Sequence, residues 1–316
     1  MKYLIPLCIL TMMMLIVSGC DSFGGSGDRG ANVNYRTGSQ GLTMSFMTNM
    51  PPSNIYDDEP FNVLMKVQNS GAEDIRTGSN SRLFLSGFDP NLITGISTSG
   101  EDIGDLDGKS MYIPQGEYTL IEFSGTVADL DSRNIDRYPF NLMATLCYNY
   151  KTIAEPNVCL DSDPFSTTIR TKACNANLNP SVSTQGAPIA VTSINVEPMR
   201  GRVKFDIHIS NVGGGTVFRQ GYSYLDRCNP YNIDRLEYND VDVVTVTRVN
   251  IANTDIRGTC KPLRNGELRL INGKGFMSCE LTGITGPAYT TPLLIELEYG
   301  YRQVISRNIA VVATGN

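Results

Sequence analysis

The chain has 316 residues, of which 41% are hydrophobic and 18% charged, and a formal net charge of −6. This length exceeds one ordinary hydrophobic core and fits about two, and the composition is that of a packed protein rather than a disordered one. The acidic excess, with no lysine or arginine run, repels nucleic-acid phosphate and anionic headgroups and argues against binding either through a broad basic face.

Met1 and Lys2 make a short basic start, and Tyr3 to Val17 are almost wholly apolar, the pattern of an export signal. The stretch closes with Val17-Ser18-Gly19-Cys20, which resembles the lipobox of bacterial-type lipoproteins. That resemblance implies removal of residues 1–19 and a lipid anchor on Cys20. The alternative is an uncleaved N-terminal anchor helix, although a span usually wants about 20 apolar residues. Either way the N-terminus holds the membrane, and the folded part is expected on the extracytoplasmic side of the cell envelope.

Residues 20–40 are rich in glycine, serine, asparagine and charge, and read as a flexible tether. Beyond them strand signals recur at short intervals. Leu42, Met44 and Phe46 alternate with polar residues until Pro51-Pro52 stops the run. Phe61, Val63, Met65 and Val67 then point one way while Asn62, Lys66 and Gln68 point the other, and the run ends in the turn Asn69-Ser70-Gly71.

The same device returns when Val203, Phe205, Ile207 and Ile209 alternate with polar residues and end at Asn211-Val212-Gly213. About 80 to 90 residues after each Asn-x-Gly comes a Tyr-x-Tyr, at Tyr148-Asn149-Tyr150 and at Tyr299-Gly300-Tyr301. Helical periodicity is nearly absent. Asn265-Gly266 and Asn272-Gly273 suit tight type I′ hairpins.

The expected architecture is therefore all-β, with two tandem immunoglobulin-like sandwiches at 41–171 and 187–316 joined by a linker at 172–186. Phe61 to Gly71, approached through Asp58-Glu59-Pro60, and Val203 to Gly215 resemble the surface immunoglobulin-like modules of archaea and bacteria of the CARDB type. The resemblance implies a cell-envelope interaction or spacer module. Antibody domains differ plainly, because this chain has no tryptophan.

Six cysteines remain outside the leader and Cys20: Cys147, Cys159, Cys174, Cys228, Cys260 and Cys279. In an exported protein this even number predicts three disulfides, although sequence does not choose among the pairings. Local spacing favours Cys147–Cys159 and Cys260–Cys279 as hairpin staples, leaving Cys174–Cys228. A zinc site is disfavoured, since there is no CxxC and His208 is the only histidine.

No catalytic constellation emerges. His208 falls on the polar face of its strand, with no Gly-x-Ser-x-Gly elbow and no HExxH nearby. Gly104-Asp105-Leu106-Asp107-Gly108-Lys109-Ser110 has one residue too few between its glycines for a phosphate loop and reads as a turn. Acidic pairs at Asp57-Asp58, Asp105/Asp107, Asp129/Asp131, Asp161/Asp163 and Asp240/Asp242 complete no EF-hand. The Asp105 and Asp129 groups are the first places to look for a structural calcium.

The two Tyr-x-Tyr pairs are expected in the core, with hydroxyls reaching backbone. The only Asn-x-Ser/Thr match, Asn179-Pro180-Ser181, is disqualified as a glycan acceptor by its proline.

The reading is a non-enzymatic, membrane-anchored envelope protein without cofactor, whose β-domains bind an unknown protein or cell-surface partner. An alternative is a ligand- or peptide-binding accessory subunit of an envelope machine or transporter, for which a large concave apolar pocket would speak. A hydrolase built from scattered carboxylates is the third and weakest option.

Overall fold

The computed structural model describes residues 34–166 and 171–315. The apolar leader, Cys20 and most of the tether lie outside the described residues. Among the described residues no helix is long and apolar enough to cross a membrane.

Among the described residues, seventeen strands and one short α-helix follow in order. The first half carries β1 (Leu42–Phe46), β2 (Asn54–Tyr56), β3 (Pro60–Asn69), β4 (Arg82–Ser86), β5 (Ile93–Thr94), β6 (Glu101–Asp102), β7 (Tyr118–Val127), β8 (Arg137–Ala154) and β9 (Asn157–Leu160). The second carries β10 (Ile189–Met199), β11 (Arg202–Asn211), β12 (Thr216–Phe218), α1 (Tyr222–Cys228), β13 (Val243–Ile251), β14 (Thr254–Asp255), β15 (Glu267–Arg269), β16 (Lys274–Thr282) and β17 (Tyr289–Val312). The expectation of an all-β chain holds.

The period-two runs become the strands that they predict. On β3, Phe61, Val63, Met65 and Val67 are buried and alternate with the half-buried Asn62, Leu64, Lys66 and Gln68. Val203, Phe205, Ile207 and Ile209 do the same on β11. Each such side chain contributes roughly 1.5–3 kcal/mol by leaving water. β3 is the second strand of a four-stranded sheet ordered β1-β3-β7-β5, and β11 is the centre of a three-stranded sheet ordered β10-β11-β16.

Facing both is a ten-stranded sheet with the path β14-β13-β17-β8-β4-β6. Its centre is the antiparallel pair β8·β17, in register from Arg137 opposite Val312 to Ala154 opposite Ile295. β9 continues the same register along β17, from Asn157 opposite Pro292 to Leu160 opposite Tyr289. Buried residues from Leu42 through Val311 join in one hydrophobic cluster, and the chain from Tyr35 onward is a single compact unit.

The stretch expected as a linker is tied in as well. Gly186 donates its N–H to Gly38 and accepts from Ala72, and the Gln185 amide exchanges hydrogen bonds with the Val191 backbone.

The four tyrosines of the two Tyr-x-Tyr motifs stand in the middle of this shared sheet, Tyr150 opposite Tyr299 and Tyr148 opposite Tyr301. All are buried, and the hydroxyls reach backbone across the core. Tyr148 accepts the Leu42 N–H at 3.2 Å, and Tyr299 accepts that of Ile189 at 3.4 Å.

Three disulfides form, and two of them correct the expected pairing. Cys260–Cys279 is as spacing suggests, but Cys147 bonds Cys228 and Cys159 bonds Cys174. Cys147 and Cys159 are not on the two arms of a hairpin. β8 and β9 run collinearly beside β17, where Cys147 sits opposite Arg302 and Cys159 opposite Thr290. Twelve residues of strand separate them by roughly 40 Å, far beyond the reach of a disulfide.

Alternation also turns Cys147 to the face opposite Tyr148. There α1 covers the sheet, burying Cys147, Cys228, Phe84, Phe218 and Leu225 as a second small core. Three disulfides point to an oxidising environment outside the cytoplasm.

Candidate functional site

Two tight turns build a groove in the second half. Asn265-Gly266 and Asn272-Gly273 all adopt positive φ, between 51° and 80°, and close two-residue hairpins bridged by Arg264–Glu267 and Ile271–Lys274. These hairpins bring Arg264, Arg269, Ile271 and Lys274 together at the open edge of the second half. Pro262 adds exposed apolar surface over the buried Leu268 and Val243, while His208 and Phe276 stand on adjacent strands with ring centroids 5.2 Å apart. The groove encloses about 800 Å³. A Cβ at Gly275 would stand 2.6 Å from Leu270 Cδ2 and 2.9 Å from Leu268 Cδ2, so a larger residue there would have to push these side chains aside.

The electrostatics of the lining are unbalanced. Arg219, Arg264, Arg269 and Lys274 face the single carboxylate of Glu267, on a chain that is acidic as a whole. Arg219 is held in two-pronged fashion by Glu267, at 2.6 and 2.9 Å, and lies 3.7 Å from Asp240. The Glu267 hydrogen bonds push its guanidinium pKa above the usual value. Arg269 donates to the Tyr238 carbonyl at 2.6 Å and covers that residue's ring at 4.1 Å. Neither Arg264 nor Lys274 makes an ion pair among the described residues, so their charge is directed at solvent and at whatever enters the groove.

Sequence reading singled out none of these cations. The available signal was the flanking of two Asn-Gly dipeptides by Arg264 and Lys274, which becomes a site only when the hairpins fold side by side. His208, read as a solvated strand residue, is half-buried in the groove wall.

The other candidates resolve into structural roles. Asp105 caps Thr77, accepting from its backbone and hydroxyl, while Arg76 bridges Asp74 and Asp107. The segment around Lys109 is a loop between β6 and β7, without a helix to hold phosphate.

Asp57, Asp129 and Asp131 bring one ligand oxygen each within 4.8 Å of one another and could hold a hard cation. Asp57 is already engaged, taking the Leu130 N–H at 2.8 Å and the Thr314 N–H and hydroxyl at 3.0 Å each. The Leu130 hydrogen bond in particular holds its carboxyl below the usual range. Asp161 is matched by Lys172 at 2.6 Å, and Asp240 by Arg227 at 2.8 Å. The buried aspartates therefore tie loops to the body of the fold.

No family model matches the chain, and no curated protein is found to be similar to it.

Proposed function

We propose that this is a non-enzymatic binding protein of the cell envelope, anchored through Cys20 and built of two immunoglobulin-like halves fused through a common sheet. The groove of the second half receives its partner. The observation that carries the reading is the local reversal of charge, in which unpaired Arg264 and Lys274 flank an apolar cleft on an otherwise acidic chain. The three disulfides support an extracytoplasmic address. A groove of this volume favours the ligand- or peptide-binding role over a pure spacer.

The test places a photoreactive amino acid at Ile271, which is 74% exposed at the rim, and the same group at exposed Ser124 on β7 as a control, in cells carrying the full chain. A discrete adduct from position 271 alone, on protein that leaves the membrane when Cys20→Ser blocks acylation, is the expected result. Equal labelling from both positions would remove the groove as the functional site, and unchanged membrane retention would remove the lipid anchor.

A further inference from the structure

We infer that the groove takes a short, extended, acidic polypeptide segment, which pairs with the open edge of β16 at Phe276. The inference rests on the reading above and names the chemistry of its partner.

One edge of β16 pairs with β11, from Arg202 opposite Thr282 to Ser210 opposite Lys274. On the other edge Ser278 exchanges both backbone bonds with Lys261, at 2.8 and 2.9 Å, and Lys274 exchanges both with Ile271, at 2.7 and 3.1 Å. Antiparallel strands point their N–H and C=O groups to one side and then the other in alternation. Phe276 lies two residues from each of these partners, so its N–H and C=O face this same edge. The chain that pairs with Ser278 does not continue alongside: Lys261 opposite Ser278 is an isolated bridge, and Leu263, next in line to face Phe276, makes no backbone bond to it. No described backbone group takes up the Phe276 pair.

A donor and an acceptor on one residue, separated as in a strand, match a peptide backbone and are the unit of strand addition. A phosphate or a carboxylate alone offers only acceptors. The neighbouring side chains supply the rest of the selectivity. Arg264 and Lys274 are unpaired cations for acidic side chains, while exposed Phe276 and Ile271 offer apolar surface to the residues between them. Lys261 and Ile271 bound the open edge on either side, which limits the paired stretch to about three residues. The partner is therefore a chain end or an exposed loop rather than a long strand.

The experiment uses the full chain in detergent micelles and a fluorescein-labelled, acetylated and amidated octapeptide of alternating glutamate and valine, read by polarisation. Comparison probes are the lysine–valine counterpart, the glutamate–valine peptide N-methylated on alternate residues, and phosphatidylglycerol vesicles as competitor. The proposal expects binding of the glutamate–valine peptide and a loss of about tenfold or more, one ion-pair-sized increment, in the Arg264→Glu/Lys274→Glu variant. N-methylation should weaken binding similarly, and Ile271→Asp, an exposed position that folding does not need, should lose affinity as well.

Equal binding of the lysine–valine peptide would overturn it, as would undiminished binding of the N-methylated peptide or complete competition by the vesicles. Absence of peptide binding while the Ile271 adduct persists in cells would overturn the peptide assignment alone. Absence of both would remove the groove reading itself.

Discussion

Tyr150 and Tyr301 close the same turn in opposite halves of the molecule. The Tyr150 hydroxyl donates to Asn69 Oδ1 at 3.2 Å and accepts the Glu73 N–H at 3.1 Å, while Tyr301 donates to Asn211 Oδ1 at 2.9 Å and accepts the Gly215 N–H at 2.7 Å. In each half the asparagine amide then donates four residues ahead, to the Glu73 carbonyl at 2.7 Å or the Gly215 carbonyl at 2.8 Å. Its side-chain oxygen also accepts the N–H two residues ahead, from Gly71 or Gly213.

The β8·β17 register places Tyr148 opposite Tyr301 and Tyr150 opposite Tyr299, so exchanging the halves returns the same pattern. The motif and its register are thus repeated across the centre of the shared sheet.

Each of these hydroxyls satisfies a backbone donor that would otherwise lack a partner. Tyr150→Phe and Tyr301→Phe should therefore each lower unfolding free energy by about 1–3 kcal/mol, measured in urea. Equal and small effects, at the level of a surface substitution, would show that solvent replaces the hydroxyl.

Alkaline pH should weaken the fold through the same residues. Burial pushes the phenols of Tyr148 and Tyr299 well above their ordinary value, so the folded state keeps protons that the unfolded chain releases. The stability they contribute is complete below about pH 10, the unfolded value, and is lost as pH rises from there through the folded value. Unfolding followed by tyrosinate absorbance should coincide with loss of far-ultraviolet circular dichroism, and Tyr148→Phe/Tyr299→Phe should flatten the pH dependence.

At the acid end Asp57 acts in the opposite sense. The Leu130 N–H bond and the Thr314 contacts lower its folded pKa, so its contribution is present above the unfolded value of about 3.9 and is lost as pH falls through the folded one. Asp57→Asn should lower the thermal midpoint near neutrality and shrink the further drop on acidification. An unchanged acid limb would mean that other carboxylates carry it.

The disulfides should differ in weight. Cys147–Cys228 closes a separation of 81 residues and Cys260–Cys279 one of 19, which in the chain-entropy model corresponds to about 4–5 and about 3 kcal/mol. Alanine replacement of each pair, followed by denaturant unfolding, reads the order. Non-reducing peptide mapping should recover Cys147 linked to Cys228, and recovery of Cys147 linked to Cys159 would contradict the fold.

Where the sequence alternates, strand position, turn position and buried face were legible, because they are set by contacts a few residues apart. Alternation at Phe61–Val67 and Val203–Ile209 can satisfy only a two-residue period, and Asn265-Gly266 and Asn272-Gly273 tolerate the positive φ of a tight hairpin. The even cysteine count likewise spoke for disulfides. Tertiary structure alone decided which strand edges meet. Period-two patterning names a face but not a neighbour, so the β8·β17 pairing that joins the halves, the Cys147–Cys228 bond under α1 and the gathering of Arg264, Lys274 and Phe276 around one groove depend on long-range packing that no local pattern encodes.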